Sequence, residues 1–120
     1  MAKYLLILGG ADLDKRSGSP AFHGAILERY TAWVQQLTSD GTMLGCYKLH
    51  DQVGTRLLVR GGQVVDGPFV ETKEAVGGVV LVEAASLEEA VALARECPVL
   101  SLQNGFVEIR VVDEVRRPAG

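Results

Sequence analysis

Two segments of this chain, residues 3–8 and Val76–Ala84, are apolar almost throughout. A half-exposed strand would alternate apolar and polar residues, because successive side chains point to opposite faces of a sheet. Uninterrupted apolar character is instead typical of strands that are covered on both faces. Any fold of this chain must therefore cover both sides of the sheet that contains these two strands.

Two helices are predicted between the strands. Ser19-Pro20 indicates the start of the first, because Ser caps free backbone N–H groups and Pro is tolerated at the first helical position. Its apolar residues recur at helical spacing before Gly41, at Ile26, Tyr30, Trp33, Val34 and Leu37. Ser86-Leu87-Glu88-Glu89 is a capping box that opens the second helix, which Pro98 ends.

The remaining segments are predicted to be strands. Residues 43–49 and 106–112 each form one, and Gly61-Gly62 predicts a hairpin turn between residues 55–60 and 63–65. The order is β-α-β, a hairpin, then β-α-β, which is the plan of an α+β ferredoxin-like sandwich with an inserted β-hairpin. Residues 1–115 are predicted to be a single domain and residues 116–120 a frayed tail.

Two helices can cover only one face of such a sheet. The economical cover for the other face is a second copy of the same sheet, so the pattern predicts a homodimer with the sheets facing each other. The mean hydropathy of +0.17 is high for a soluble monomer of 120 residues, and it agrees with an apolar surface buried against a partner chain.

Charge and composition exclude several classes of function. The chain has 12 Lys and Arg against 15 Asp and Glu, a net charge of -3, so we expect no nucleic-acid binding through a basic surface. The same balance argues against binding to anionic membranes. No segment approaches the roughly 18 apolar residues of a membrane span. The short apolar start lacks a signal-peptide cleavage site, which predicts a cytoplasmic protein.

The sequence predicts neither a metal site nor a cofactor. Cys46 and Cys97 form no metal-binding motif and no disulfide framework, and we expect both to be reduced and buried. The chain has only two histidines, which are too far apart to build a metal triad.

Candidate catalytic and binding residues lie on the first helix and in the segment that follows the hairpin. Asp66-Gly67-Pro68 reads as the start of a loop, with Asp66 as candidate base or anchor. His23 lies seven residues before Tyr30, so both project from one side of a helix as possible proton partners. Phe69 and Lys73 are candidate ligand contacts in the loop, Lys73 for an anion.

Glu108 and Arg110 are the charged residues of the last strand. Alternation puts them on the face away from the helices, opposite to Val107, Ile109 and Val111. One reading is that they lie in the dimer cleft as a pair and contact a ligand, because lone buried charges are too costly. The other is that they are exposed edge charges that oppose aggregation.

The segment after the hairpin also carries a family resemblance. Asp66-Gly67-Pro68-Phe69, Glu71-Thr72-Lys73-Glu74 and Gly77-Gly78 together resemble the signature of the DGPF-motif branch of the YCII-related proteins. Three further segments fit that family's layout: the opening strand, the second helix with its capping box, and the strand around Val107-Glu108-Ile109-Arg110.

The resemblance implies a dimeric α+β barrel, in which two ferredoxin-like protomers pack their sheets face to face. Some relatives are proposed to be small-molecule enzymes that pair a His of the first helix with an Asp, and others occur beside alternative sigma factors. When residues are counted back from Gly41, the position that carries this His in those relatives is occupied by Tyr30 in the present chain. Three interpretations therefore remain open. The first is binding or transformation of a small molecule in a cleft beside residues 66–69, either between the first helix and the sheet or at the dimer interface. The second is a non-catalytic regulatory or protein-interaction module. In the third, the signature loop only fixes the fold and the dimer, and the function lies elsewhere.

Overall fold

The computed structural model of the protein describes residues 1–10, 20–49, 55–67, 76–102 and 104–115, with the backbone alone for residues 20–23 and 67. In chain order the elements are β1 (Ala2–Gly9), α1 (Pro20–Ser39), β2 (Met43–Lys48), β3 (Arg56–Arg60), β4 (Gln63–Gly67), β5 (Val76–Ala84), α2 (Leu87–Arg95), a short 3-10 helix (Pro98–Ser101) and β6 (Phe106–Val112). The predicted tail lies outside the described residues.

The main sheet has four strands in the order β2-β5-β1-β6, and every neighbouring pair is antiparallel. The two central strands, β1 and β5, are the two continuously apolar segments of the sequence. A four-stranded antiparallel sheet with two helices confirms the α+β class, and the strand order is consistent with a ferredoxin-like fold.

One face of this sheet packs against the helices and forms the hydrophobic core. Alternate residues of the two central strands, Tyr4, Leu6 and Leu8 of β1 with Val80, Val82 and Ala84 of β5, are buried there. Trp33 and Leu37 of α1 pack against them together with Ala90 and Ala94 of α2. The helical stripes predicted from apolar spacing are therefore the surfaces that cover this face.

The opposite face, called the open face below, has no such cover from the helices. Its centre is formed by Leu5, Ile7, Val79 and Leu81, which are only half-buried although their neighbours on the helix side are buried. The β6 residues on this face are Phe106, Glu108, Arg110 and Val112, and Tyr47 of β2 lies beside Val79. The face is thus apolar at its centre and charged along one side.

Residues 56–67 form a separate two-stranded sheet, the β3–β4 hairpin. Its turn residues Gly61 and Gly62 have φ values of +61° and +77°, which L-residues with side chains rarely adopt, so the predicted turn is confirmed. One expectation was wrong: Asp66 and Gly67 belong to β4 rather than to a loop. Because β3 begins at Arg56, the ladder continues through the pairs Leu57–Asp66 and Arg56–Gly67.

Both helix starts follow the sequence signals. The first helix begins at Pro20, and it ends at Ser39, two residues before Gly41 with its φ of +72°. The Oγ of Ser86 accepts a hydrogen bond from the Glu89 N–H at 3.2 Å, and the Glu89 carboxylate accepts one from the Ala85 N–H at 3.1 Å. The Ser86 half of the predicted capping box is therefore present, whereas the Glu89 carboxylate accepts from the residue before the cap instead of from Ser86 itself. No helix in the described ranges has the length and apolar character needed to span a membrane.

We predict that Ser86→Ala lowers the free energy of unfolding by about 1 kcal/mol, because it leaves a helical N–H without its acceptor. For a domain of this size the melting midpoint should fall by about 4 °C, measured by circular dichroism. The matched control is Ser101→Ala at an exposed position of the 3-10 helix, which should shift the midpoint by less than about 1 °C. Equal shifts in the two variants would show that the cap contributes nothing specific.

Candidate functional site

Arg110 and Glu108 form an ion pair on the open face. Arg110 Nη1 donates a hydrogen bond to Glu108 Oε2 at 3.2 Å, which confirms the predicted pairing. In the single chain the Arg110 side chain is 70% exposed and the Glu108 side chain 54% exposed. The burial expected from the sequence is therefore not present in a single copy. In the β1–β6 ladder Arg110 lies opposite Leu5, and Glu108 lies opposite Ile7. The pair therefore borders the apolar centre of the open face.

The Arg110 guanidinium suits recognition of an anion. It carries five N–H donors in a planar fork, so a single bond to Glu108 leaves donors for a second acceptor. Arginine binds carboxylates through paired hydrogen bonds, which are stronger than neutral ones. The arrangement can hold an acidic group at the edge of an apolar surface.

Tyr30 lies on the other side of the sheet, where α1 packs against β2. Its Oη is 3.3 Å from Cys46 Sγ, and its ring centroid is 5.8 Å from that of Trp33. The Trp33 indole N–H donates to the Leu93 carbonyl oxygen at 3.1 Å, which fixes α1 against α2. Tyr30 is thus held in a packed, half-buried position rather than on a free surface.

The surroundings of Tyr30 keep its hydroxyl protonated. Burial is the main cause that raises the pKa of Tyr30 above its ordinary value, and the hydrogen bond with Cys46 adds to it. Negative charge on the Cys46 or Cys97 sulfur would also oppose formation of a tyrosinate. Near neutral pH Tyr30 is therefore a hydrogen-bond donor or a weak acid and not a base.

The two cysteines differ in their surroundings. Both are free thiols, with Cys97 buried and Cys46 half-buried, so the expectation of burial holds fully only for Cys97. Burial raises the pKa of Cys97 from 9.0 to about 11, and a hydrogen bond with the Val99 backbone offsets only part of this. Cys97 is consequently an unreactive structural thiol at neutral pH.

The other predicted residues are spread over the chain. Asp66 is exposed on β4, and no described side-chain hydrogen bond joins it to Tyr30 or to Arg110. His23 lies in the first turn of α1, but its side chain is outside the described part. Phe69 and Lys73 are likewise outside the described residues. Among the candidates the structure brings together Glu108 with Arg110, and it adds Cys46 as a partner of Tyr30.

The contact between Tyr30 and Cys46 was not predicted. Apolar spacing places Tyr30 on the buried side of α1, and alternation along β2 places Cys46 on the side facing the helices. The sequence contains no signal for which helix residue meets which strand residue across the layer.

In the described residues no three His, Cys, Asp or Glu side chains cluster as a metal site would require.

Together these features define a small α+β domain with one sheet face that neither described helix covers and a polar pair beside it. The chain belongs to the YCII-related domain family, whose pattern it matches over residues 11–116. Over 47 residues it is also 45% identical to the uncharacterised protein R00369 of Rhizobium meliloti (strain 1021). That alignment covers 39% of this chain and 38% of the relative, so it spans well under half of either protein.

We predict that Tyr30 ionises at a higher pH than an ordinary tyrosine and that Cys46→Ala lowers its pKa, because the hydrogen bond and the sulfur both favour the neutral phenol. Ultraviolet absorbance at 295 nm, recorded as the pH is raised, measures this step. Tyr30→Phe serves as the assignment control, because it should remove only the latest-ionising component. A Tyr30 that titrates near pH 10 in the folded parent would contradict the prediction.

Proposed function

We propose that the protein is a homodimer whose two open faces pack against each other and bind a small molecule in the cleft between them, beside residues 66–69. The observation that carries this proposal is the open face itself: an apolar centre that the helices leave only half-buried, bordered by the Glu108–Arg110 pair. The family resemblance to dimeric α+β barrels of the DGPF branch supports the same arrangement.

The argument for a dimer is the cost of leaving the open face in water. Leu5, Ile7, Val79 and Leu81 are contiguous across the two central strands. Full burial of one such side chain contributes about 1.5–3 kcal/mol relative to full exposure. These four are already half-buried in the single chain, so completing their burial contributes a fraction of that for each, summed over both copies. A two-fold axis through the face would bring the same residues of both copies together.

The argument for a ligand is the polar border of that apolar surface. Ligand pockets are mostly apolar and contain a few placed polar groups that fix orientation. Arg110 supplies such a group, and its chemistry selects a carboxylate or another planar anion. The ligand class that fits is a small apolar molecule with an acidic group.

If the protein also transforms its ligand, the chemistry rests on the residues singled out in the sequence. Asp66 is the proposed base or anchor. Tyr30 and His23 belong to α1 on the helix side of the sheet, so they could act as proton partners only at a site between α1 and the sheet and not between the open faces. Tyr30 would serve there as a neutral donor, since its raised pKa excludes the role of base near pH 7. Phe69 and Lys73 remain proposed contacts for the apolar and acidic parts of the ligand. We propose no cofactor and a cytoplasmic location.

A regulatory or protein-interaction role is the second candidate. Exposed apolar side chains on the β3–β4 hairpin favour it, because large apolar patches often mark protein contacts. The occurrence of family members beside alternative sigma factors points to regulation of transcription through a protein partner rather than through direct contact with nucleic acid.

We predict a mass near twice 12.9 kDa by light scattering at micromolar concentration, and a monomer for Leu81→Lys. Leu81 lies between Leu5 and Gly45 at the centre of the open face, so a lysine there would place a charge in the interface. Leu27→Lys, at a 64% exposed position of α1, is the control and should stay dimeric. A monomeric parent, or a Leu81→Lys variant that folds and dimerises normally, would contradict the proposal.

We predict that small apolar carboxylates bind the dimer and that Arg110→Met weakens this binding about ten- to hundredfold, the loss expected for a charged hydrogen bond. Ligand-observed NMR with benzoate and hexanoate measures it. Arg95→Met, an exposed arginine at the end of α2, is the matched control and should bind like the parent. Failure of both carboxylates to bind a dimeric parent would contradict the proposed ligand class.

A further inference from the structure

The register of the main sheet arranges the residues of the open face in rows that cross the four strands. Residues directly opposite each other in an antiparallel pair share a face, so each row stays on the open face. The first row consists of Gly45, Leu81, Leu5 and Arg110. The second row consists of Tyr47, Val79, Ile7 and Glu108. Each row thus runs from β2 across the apolar centre to the charged pair on β6.

The Tyr47 side chain bends from the second row back over the first. A Cβ built on Gly45 would lie 3.1 Å from Tyr47 Cε2 and 3.5 Å from Tyr47 Oη, so the edge of the ring covers the Gly45 backbone. The ring can lie there because Gly45 has no side chain to occupy the place. The Tyr47 hydroxyl therefore stands at the β2 end of the row that has Arg110 at its other end.

The hydroxyl of Tyr47 has hydrogen-bonding capacity that its own chain does not use. The residue is 65% exposed in the single chain, and none of the described residues forms a hydrogen bond with its hydroxyl. A tyrosine hydroxyl usually finds a partner when it is buried. Its neighbours on β5, Val79 and Leu81, offer no polar side chain. A molecule that covers this face must therefore supply the partner.

Arg110 is the better placed of the two cations on the described open face. The other one, Lys3, forms an ion pair with Glu114 and also lies opposite Glu83 in the β1–β5 ladder, so two carboxylates are close to it. Arg110 makes a single hydrogen bond to one carboxylate, that of Glu108, and its guanidinium has further N–H donors. We therefore expect the acidic end of a ligand at Arg110.

The distance between Tyr47 and Arg110 sets the length of a ligand that contacts both. Neighbouring strands are about 4.8 Å apart, so three spacings place Gly45 roughly 14 Å from Arg110. A hydrogen bond takes about 2.8 Å at each end, which leaves roughly 9 Å between the two polar groups of the ligand. Two linked rings with a polar group at each end match this length, whereas a single ring is too short.

We infer that Tyr47 is a second ligand-binding residue of the open face, whose hydroxyl contacts the far end of an elongated acid that Arg110 holds by its carboxylate. Leu81 and Leu5 form the apolar floor between the two ends. The ligand class is an apolar carboxylate about two rings long, with a hydroxyl or carbonyl group at the opposite end. The inference rests on the proposed ligand cleft and adds to it the length of the ligand and its second polar contact.

The first test compares two ligands that differ by one hydroxyl group, 4′-hydroxybiphenyl-4-carboxylate and biphenyl-4-carboxylate. The variant is Tyr47→Phe, which keeps the ring over Gly45 and removes only the hydroxyl. We expect it to weaken binding of the hydroxylated acid about three- to tenfold, the loss of one neutral hydrogen bond, and to change binding of the other acid less than about twofold. Isothermal titration calorimetry measures the dissociation constants, and circular dichroism and light scattering check the fold and the dimer.

The second test varies the length of the ligand. The probe 4-hydroxybenzoate carries the same two polar groups on a single ring, so it cannot reach the Tyr47 hydroxyl while its carboxylate is bound at Arg110. We expect Arg110→Met to weaken binding of both hydroxylated acids about ten- to hundredfold, the loss of a charged hydrogen bond. Tyr47→Phe should weaken binding of the two-ring acid alone.

The outcomes separate this inference from the proposed function. A parent protein that binds none of these acids overturns both. Binding that depends on Arg110 but is unchanged in Tyr47→Phe overturns the inference and preserves the proposed ligand cleft. Equal weakening of the one-ring and two-ring hydroxylated acids by Tyr47→Phe also overturns it, because Tyr47 would then not mark the far end of the ligand. Loss of the dimer in Tyr47→Phe would assign the hydroxyl to the second subunit and contradict the inference.

Discussion

The structure depends on the burial of two central strands by only two helices. β1 and β5 are apolar on both sides, and each side must leave water for the chain to reach its lowest free energy. The helices satisfy this for one face, where Leu6, Val80 and Val82 are fully buried. The apolar centre of the other face is only half-buried, and both the proposed dimer and the proposed ligand cleft follow from that imbalance.

Polar groups at the margins of the sheet give the two faces different chemistry. On the open face Arg110 is paired with Glu108, and it presents an accessible cation beside apolar side chains. On the helix side Tyr30 is held by Cys46 and kept neutral by burial. Some proteins that this chain resembles carry a histidine at the position of Tyr30. A neutral phenol can donate a proton or a hydrogen bond there, but it cannot accept a proton near pH 7 as an imidazole does.

Much of the fold could be predicted from local sequence signals. The limits of β5 and β6, the start of α1 and the N-cap at Ser86 agree with the structure, because these local signals act over a few residues. The Glu108–Arg110 pair was predicted for the same reason, since residues two apart on a strand share a face. Asp66 was predicted to lie in a loop, but it belongs to β4. The length of β4 depends on where β3 begins, and the residues of β4 alone do not indicate that pairing.

The sequence by itself determined which elements form, which of their faces are apolar, and that two helices are too few to cover both sides of the sheet. Only the tertiary structure decided which residues meet across layers. It set Tyr30 against Cys46, placed Arg110 beside Leu5, and fixed Asp66 to the exposed apolar face of the hairpin. The physical reason is that periodicity encodes the direction of a side chain relative to its own element. Contacts between elements depend on the register and packing of the whole chain.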